Sequence, residues 1–145
     1  MQIKVINRST NPLPSRATQG SAGLDLRANL ENPIEIPSLE CRIIPTGLYL
    51  ELPSSDYEAQ IRTRSGLAIE KGLAVLNSPG TIDSDYRGEI RIILINLGKE
   101  TAQIKHGERI AQMVIARYQR AELVEQQTLS HTERGDKGFG STGLS

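Results

Sequence analysis

Aromatic residues are scarce in this sequence: among 145 residues there is no Trp, four Tyr and a single Phe. Cysteine occurs once, as Cys41, which excludes an intrachain disulfide and every metal site built from several cysteines. Cys41 lies in an apolar stretch, and the expectation is a plain buried thiol. An excess of either charge is missing too, 17 Lys and Arg balancing 17 Asp and Glu. That balance argues against a general nucleic-acid binder, whose affinity rests on clustered positive charge. A small anionic ligand is still allowed, because it needs only a few well-placed Arg and Lys. No apolar run approaches the roughly 20 residues of a membrane span. The opening "MQIKVINRST" lacks the apolar core of a signal peptide. The expectation is a cytoplasmic protein with neither a membrane nor a nucleic acid as partner.

What is there reads as one domain, long enough to bury its own core. A hydrophobic fraction of 37% and a charged fraction of 23% fit a soluble globular protein. Short strands follow one another. "QIKVIN" (2–7) alternates, and "CRIIPTGLYLEL" (41–52) holds two runs broken at Pro45-Thr46-Gly47. "YEAQIRT" (57–63) puts Tyr57, Ala59 and Ile61 on one face and Glu58, Gln60 and Arg62 on the other. "EIRIILINL" (89–97) and "RIAQMVIARY" (109–118) are dense in apolar residues, as strands covered on both faces are. Turn residues punctuate at Asn11-Pro12, Pro53–Asp56, Ser78-Pro79-Gly80 and Lys105-His106-Gly107. The pattern predicts an all-β sandwich, barrel or jelly roll. "SGLAIEKG" (65–72) has room for about two helical turns, and "RAELVEQQTL" (120–129) reads as either helix or last strand. From Gln126 the chain turns polar and Gly-rich. Residues 1–125 are therefore expected to form the domain, and 126–145 a flexible C-terminal arm.

Five stretches differ from strand and turn filler. "AGLDLRA" (22–28) carries Asp25 between two leucines. Asp25 is either an outward strand carboxylate or a holder of a metal-bound water. "RTRSGLA" (62–68) places Arg64, Ser65 and Gly66 where a strand ends. It is either a helix start capped by Ser65 or an anion site of free N–H groups, a hydroxyl and a guanidinium. "LNSPGTIDSDYRGEI" (76–90) follows a Pro-Gly turn with Asp83, Asp85, Tyr86 and Arg87 before the chain returns in a strand. It is either a hairpin with a polar tip or a site in which an ionised carboxylate takes a proton from water. In "GERIAQMV" (107–114), Gln112 is the polar exception, pointing outward or donating its amide to phosphate.

The last stretch, "RGDKGFGSTG" (134–143), holds the only Phe, Phe139, among four glycines. A Phe normally fills a core and a Gly-rich tail normally stays disordered; both expectations hold only if the tail folds onto something flat. The Gly-Lys-[Ser/Thr] ending of a P-loop is absent. Arg134, Lys137, Ser141, Thr142 and unencumbered N–H groups suit phosphate, and a ring among them implies a nucleotide. The ring then stacks on the base while the arm closes over the phosphates.

Together, "AGLDLRA", "RSGLA", "GTIDSDYRGEI", "RIAQM" and "RGDKGFGSTG" resemble the five ordered motifs of the trimeric dUTPases, across residues 22 to 143. The third and fifth are long and specific. The resemblance implies a distorted jelly-roll β-barrel and a homotrimer with three sites at subunit interfaces, the arm of one chain covering a neighbour's site. It implies hydrolysis of dUTP to dUMP and pyrophosphate, which clears dUTP and supplies dUMP for thymidylate synthesis. By similarity Asp83 is the general base for water attacking the α-phosphate. Mg²⁺ bridges the triphosphate, and Asp25 orients it through water. Arg64, Ser65, Gly66 and Gln112 match phosphate contacts. Arg134 matches a γ-phosphate clamp, with Gly140, Ser141 and Thr142 closing over the chain. Asn77, Gly80, Thr81 and Ile82 match the uracil-reading segment, and Arg91 adds backbone contacts. Tyr86 matches the sugar gate, and Phe139 the residue stacked on uracil.

Two positions depart from the family's pattern. Thr63 stands where many relatives have Pro, and Leu24 where an aromatic is common. Neither is a proposed catalytic group. Two alternatives differ in chemistry: a dCTP deaminase of the same fold, and a non-catalytic nucleotide sensor. The unbroken "IDSDYRGE" run and the intact arm favour the hydrolase.

Overall fold

Alternating β-branched residues and closely spaced turns leave little room for anything but short strands. The computed structural model describes residues 1–138. It contains β1 (Lys4–Asn7), β2 (Leu24–Arg27), β3 (Ile34–Ile36), β4 (Cys41–Pro45), β5 (Leu48–Glu51), β6 (Tyr57–Arg62), α1 (Ser65–Lys71), β7 (Leu73–Val75), β8 (Gly80–Ile82), β9 (Arg91–Asn96), β10 (Ala102–Ile104) and β11 (Arg109–Arg117). The strands pair into four ladders: β2-β11-β6-β8, β4-β9-β7, and the ribbons β1-β5 and β10-β3. This is the all-β, jelly-roll class expected from the sequence, with non-sequential neighbours in every ladder.

One aliphatic core joins the ladders. Leu26, Ile36, Ile44, Ile61, Leu73, Ile92, Leu94, Ile104 and Ile110 meet in it, and no aromatic side chain of the described residues is fully buried there. Among the described residues, only Thr46 and Asn96 bring buried polar side chains. Asn96 Nδ2 donates to the carbonyls of Ile36 and Glu100, each at 2.8 Å, and its Oδ1 accepts from the Gly98 amide at 2.9 Å. That single side chain ties the end of β9 to β3 and to the turn before β10. Burying an amide this deeply is tolerable because its groups are paired.

Three expectations change. Cys41 is exposed, because β4 alternates: Ile44 faces the core while Cys41 and Ile43 face outward. Strand β9 is not covered on both faces within the chain; Ile92 and Leu94 are buried, whereas Ile93 and Ile95 are half-exposed. Residues 120–129 form neither helix nor strand, and Leu123 and Leu129 stand open to solvent. Regular structure ends at Arg117 among the described residues.

The helix is short, as expected. It buries Leu67 and stops at Gly72, whose φ of 65° is left-handed. Lys71 in its last turn donates to Glu108 Oε2 at 3.0 Å and to the Gln103 carbonyl at 3.2 Å. Helix α1 is thereby fixed against the approach to β11.

Candidate active site

Strand β6 delivers the chain to the turn that opens α1. Past Arg62 the backbone leaves the ladder, and Arg64 takes the cap position of α1 with extended φ −89° and ψ 132°. Ser65 is therefore the first helical residue and not the cap. It differs from the expected role because the chain bends one residue earlier. Among the described residues its hydroxyl has no hydrogen-bond partner, and it lines a small cleft.

The cleft, of 180 Å³, is bounded by Ser21, Gly23, Asp25, Arg64, Ser65, Gly66 and Gln112. Here Asp25 accepts from two guanidiniums. Arg64 Nε donates to Oδ1 at 2.8 Å, and Arg109 Nη1 donates to Oδ2 at 3.1 Å. Both Asp25 and Arg64 are largely shielded, which strengthens their attraction relative to a surface pair. Arg64 Nη1 also donates to the Arg109 carbonyl at 3.2 Å.

Gln112 reaches this cleft through a β-bulge. Strand β11 pairs Arg109 with Arg27, skips Ile110, and pairs Ala111 with Leu26. Without the extra residue Gln112 would oppose Leu24; with it, Gln112 opposes Asp25. Its Nε2 donates to the Thr63 carbonyl at 3.0 Å, holding the strand end that leads into Arg64. Gly23 makes room: a Cβ there would overlap Gln112 Oε1 and come within 3.1 Å of Gln112 Cβ.

A second cleft, of 300 Å³, is lined by Ile43, Asn77, Thr81, Ile82, Asp83, Tyr86, Glu89, Arg91 and Ile93. Asn77, Thr81, Asp83, Tyr86 and Arg91 are exposed along it, and Gly80 is buried behind it against Asn77 and Ile61. The outward apolar face of β4 and β9 supplies Ile43 and Ile93 as a wall. Neither belongs to a motif stretch. Their signal was an apolar run in β9 with more Ile than a one-sided strand requires.

The 76–90 segment is not a two-stranded hairpin. Strand β8 pairs with β6 and strand β9 with β4 and β7, so the segment crosses between two sheets. Its return is fixed by other bonds. The Tyr86 hydroxyl donates to the Glu89 carbonyl at 3.0 Å, and Glu89 Oε1 accepts from the Gly47 amide at 2.7 Å. Thr46 Oγ1 donates to the buried Ile90 carbonyl at 2.6 Å. Arg87 is turned away, donating to the carbonyls of Ser84 and Tyr86.

The two clefts share no residue. Asp25 pairs with Gln112, which pairs with Arg62, whereas Ile82 pairs with Ala59. Strands β2 and β8 are the two edges of this sheet. Three strand spacings of about 4.8 Å across and three residues of about 3.3 Å along give about 17 Å between Asp25 and Ile82. Asp83 is one residue further out. Arg134 belongs to neither cleft; its Nε donates to the Lys137 carbonyl at 3.0 Å in an exposed turn. Phe139, Gly140, Ser141 and Thr142 lie outside the described residues.

No group of three or more His, Cys, Asp or Glu among the described residues could hold a metal ion. An ionised carboxylate has about four lone-pair sites, and the guanidiniums take two of those on Asp25. The donor set suits an outer-sphere contact through water to Mg²⁺ carried by phosphates, and not a protein cage. No helix of the described residues is long and apolar enough to cross a membrane.

Comparison with known proteins places the chain in a family. The dUTPase family profile matches residues 9–143. A deoxyuridine 5'-triphosphate nucleotidohydrolase of Finegoldia magna is 51% identical over 143 residues, covering 99% of each chain. One from Rickettsia felis is 55% identical over 144 residues, covering 99% of this chain and 97% of that one. The dUTPase of Staphylococcus bacteriophage 80alpha, solved as a mutant with dUpNHpp, superposes with a TM-score of 0.85 at 26% identity, covering 99% of both chains. The chain belongs to the dUTPase family.

Proposed function

We propose that this dUTP diphosphatase works at a site completed by a second copy of the chain. The observation that carries the reading is the separation of the two clefts. Asp83 and the nucleoside-sized cleft lie at the β8 edge of the sheet; Asp25 lies on the β2 edge, with Gln112 beside it on β11 and Arg64, Ser65 and Gly66 just past the end of β6. The roughly 17 Å between Asp25 and Ile82 is far beyond the reach of hydrogen bonds to one phosphate. Head-to-tail contact between copies brings one chain's Asp83 edge to the next chain's Arg64 cleft, and such contacts close into a ring when their rotation closes. A homotrimer satisfies this, as the motif resemblance implies.

In that site, uracil enters between Asn77, Gly80, Thr81 and Ile82, with Ile43 and Ile93 as the apolar wall. Main-chain groups of β8 read its edge, and Arg91 borders the opening. Cytosine leaves buried donors facing donors, at about 1–3 kcal/mol for each unpaired group. The Tyr86 ring stands against the sugar. Across the interface Arg64, Ser65, Gly66 and Gln112 hold the phosphates. Asp83 accepts a proton from water as the water oxygen bonds to the α-phosphorus. The bond from that phosphorus to the bridging oxygen breaks, leaving dUMP and pyrophosphate. Mg²⁺, when bound, spreads the phosphate charge, and Asp25 orients its water shell.

Arg134 and the Phe139–Thr142 segment come to this site from the arm formed by residues 126–145. Arg134 meets the γ-phosphate, Phe139 lies on uracil, and Gly140, Ser141 and Thr142 close over the phosphates. The motif resemblance alone supports these assignments. A free substrate pool and an unpaired thiol favour the cytoplasm as the place of action.

Co-expression tests the shared site. An Arg64→Ala chain and an Asp83→Ala chain should each be nearly inactive alone, and their mixed assemblies should regain part of the pyrophosphate release from dUTP. No recovery would show that both residues act within one chain. Ammonia released from dCTP by the native protein would replace hydrolysis by deamination.

A further inference from the structure

Gly88 lines neither of the two clefts, yet its lack of a side chain is tied to Tyr86. Its φ is not in the left-handed region, where only Gly47, Gly72, Gly107 and Gly135 are found among the described glycines. The backbone therefore accepts any L-residue at 88, and the need for glycine comes from elsewhere. A Cβ on Gly88 would overlap Tyr86 Oη and Cζ, and would come within 2.8 Å of Cε2. The phenol lies directly over the bare Cα. From there its hydroxyl donates to the Glu89 carbonyl at 3.0 Å. Glu89 is itself anchored, because its carboxylate accepts from the Gly47 amide. The ring is thus held on one face by a missing side chain and at its tip by a fixed acceptor.

We propose that Gly88 is the positioning residue for sugar selection, setting the place of the Tyr86 ring against the deoxyribose. The inference rests on the reading of Tyr86 as the sugar gate. An alanine at 88 lifts the ring from its seat and breaks the bond to Glu89. The displaced ring no longer fills the space that excludes a 2′-hydroxyl. Gly88 acts only through Tyr86, so its effect exists only while the ring is present.

The experiment compares kcat/KM for dUTP and UTP in the native protein, Gly88→Ala, Tyr86→Ala and the double variant. Gly88→Ala is expected to lower the dUTP-to-UTP ratio roughly tenfold, the change falling on KM more than kcat. In the Tyr86→Ala background the same substitution is expected to leave the ratio as it is. If Tyr86→Ala collapses the ratio but Gly88→Ala does not move it, Gly88 does not position the ring. An equal loss from Gly88→Ala in both backgrounds overturns the proposal as well. If Tyr86→Ala itself leaves the ratio intact, the sugar-gate reading fails and takes the inference with it. Should Gly88→Ala fail to fold, Tyr86→Phe decides. It removes the hydroxyl that meets Glu89 but keeps the ring over Gly88; a retained ratio supports the seat, and a ratio collapsed as far as in Tyr86→Ala overturns Gly88 as its determinant.

Discussion

Arg64 donates its Nε–H to Asp25 Oδ1 at 2.8 Å, so the guanidinium assigned to phosphate is already engaged with a carboxylate. Arg109 shares the same carboxylate at 3.1 Å. In the proposed site, Arg109 would hold Asp25 while Arg64 turns to the phosphates. An Asp25→Asn chain loses this negative centre but keeps both cations. Affinity for the polyanion is then expected to hold or rise, and turnover to fall by roughly 10²-fold, as when a preorganised polar group is removed. Steady-state kinetics with dUTP at fixed Mg²⁺ separates the two. A rise in KM with unaltered kcat would mean that Asp25 serves only ground-state binding.

Gly23→Ala tests whether Gln112 must stay where the bulge puts it. The new Cβ overlaps Gln112 Oε1, so the amide has to swing away from the Thr63 carbonyl that it now holds. Overpacking of this kind costs about 1–3 kcal/mol. The expected result is a lower melting temperature together with a higher KM for dUTP, since the segment entering Arg64 is loosened. A stability loss without any change in KM would separate Gln112 from substrate binding.

Much of the fold was legible because it rests on local pattern. Period-2 alternation placed β6, and the Pro45-Thr46-Gly47 break separated β4 from β5. The site was legible as residue types: Asp25, Arg64, Ser65, Gly66 and Gln112 do share one cleft, and Asn77, Thr81, Ile82, Asp83, Tyr86 and Arg91 share the other. What escaped was long-range. Whether 76–90 is a hairpin depends on which partners β8 and β9 choose, and those partners lie many residues away. The same holds for the bulge that brings Gln112 opposite Asp25, which shifts a pairing without changing a residue type. Of the two readings of Ser65, the cap fails by one position, because a cap is set by where the chain leaves its strand, while Ser65 still lines the first cleft. Cys41 reads as buried because its neighbours are apolar, although alternation along β4 turns it outward.

Asn96→Ala is expected to weaken the fold and spare the chemistry. The side chain is fully buried, and its removal leaves the Ile36 and Glu100 carbonyls and the Gly98 amide without their partner. A loss of about 2–4 kcal/mol follows from orphaning buried polar groups. Thermal denaturation should show it, while kcat per folded site stays near the native value. A large drop in kcat at temperatures where the protein is folded would mean that the β9 end is coupled to the clefts.

Glu89 offers a sharper separation of charge from hydrogen bonding. Its carboxylate accepts from the Gly47 amide, and its carbonyl accepts from Tyr86, so one residue links the β4–β5 turn to the second cleft. Glu89→Gln keeps an acceptor oxygen at the same reach and should cost little. Glu89→Ala leaves a half-buried amide unpaired, for about 1–3 kcal/mol, and frees the carbonyl that steadies the phenol. The expected order of kcat/KM for dUTP is native, then Gln, then Ala, with the Ala variant several-fold to tenfold below native. If Gln proves as harmful as Ala, the negative charge of Glu89 is what the segment needs, and the bond to Gly47 is incidental. If Ala proves as active as native, the return of the 76–90 segment is held by Thr46 and Ile90 alone.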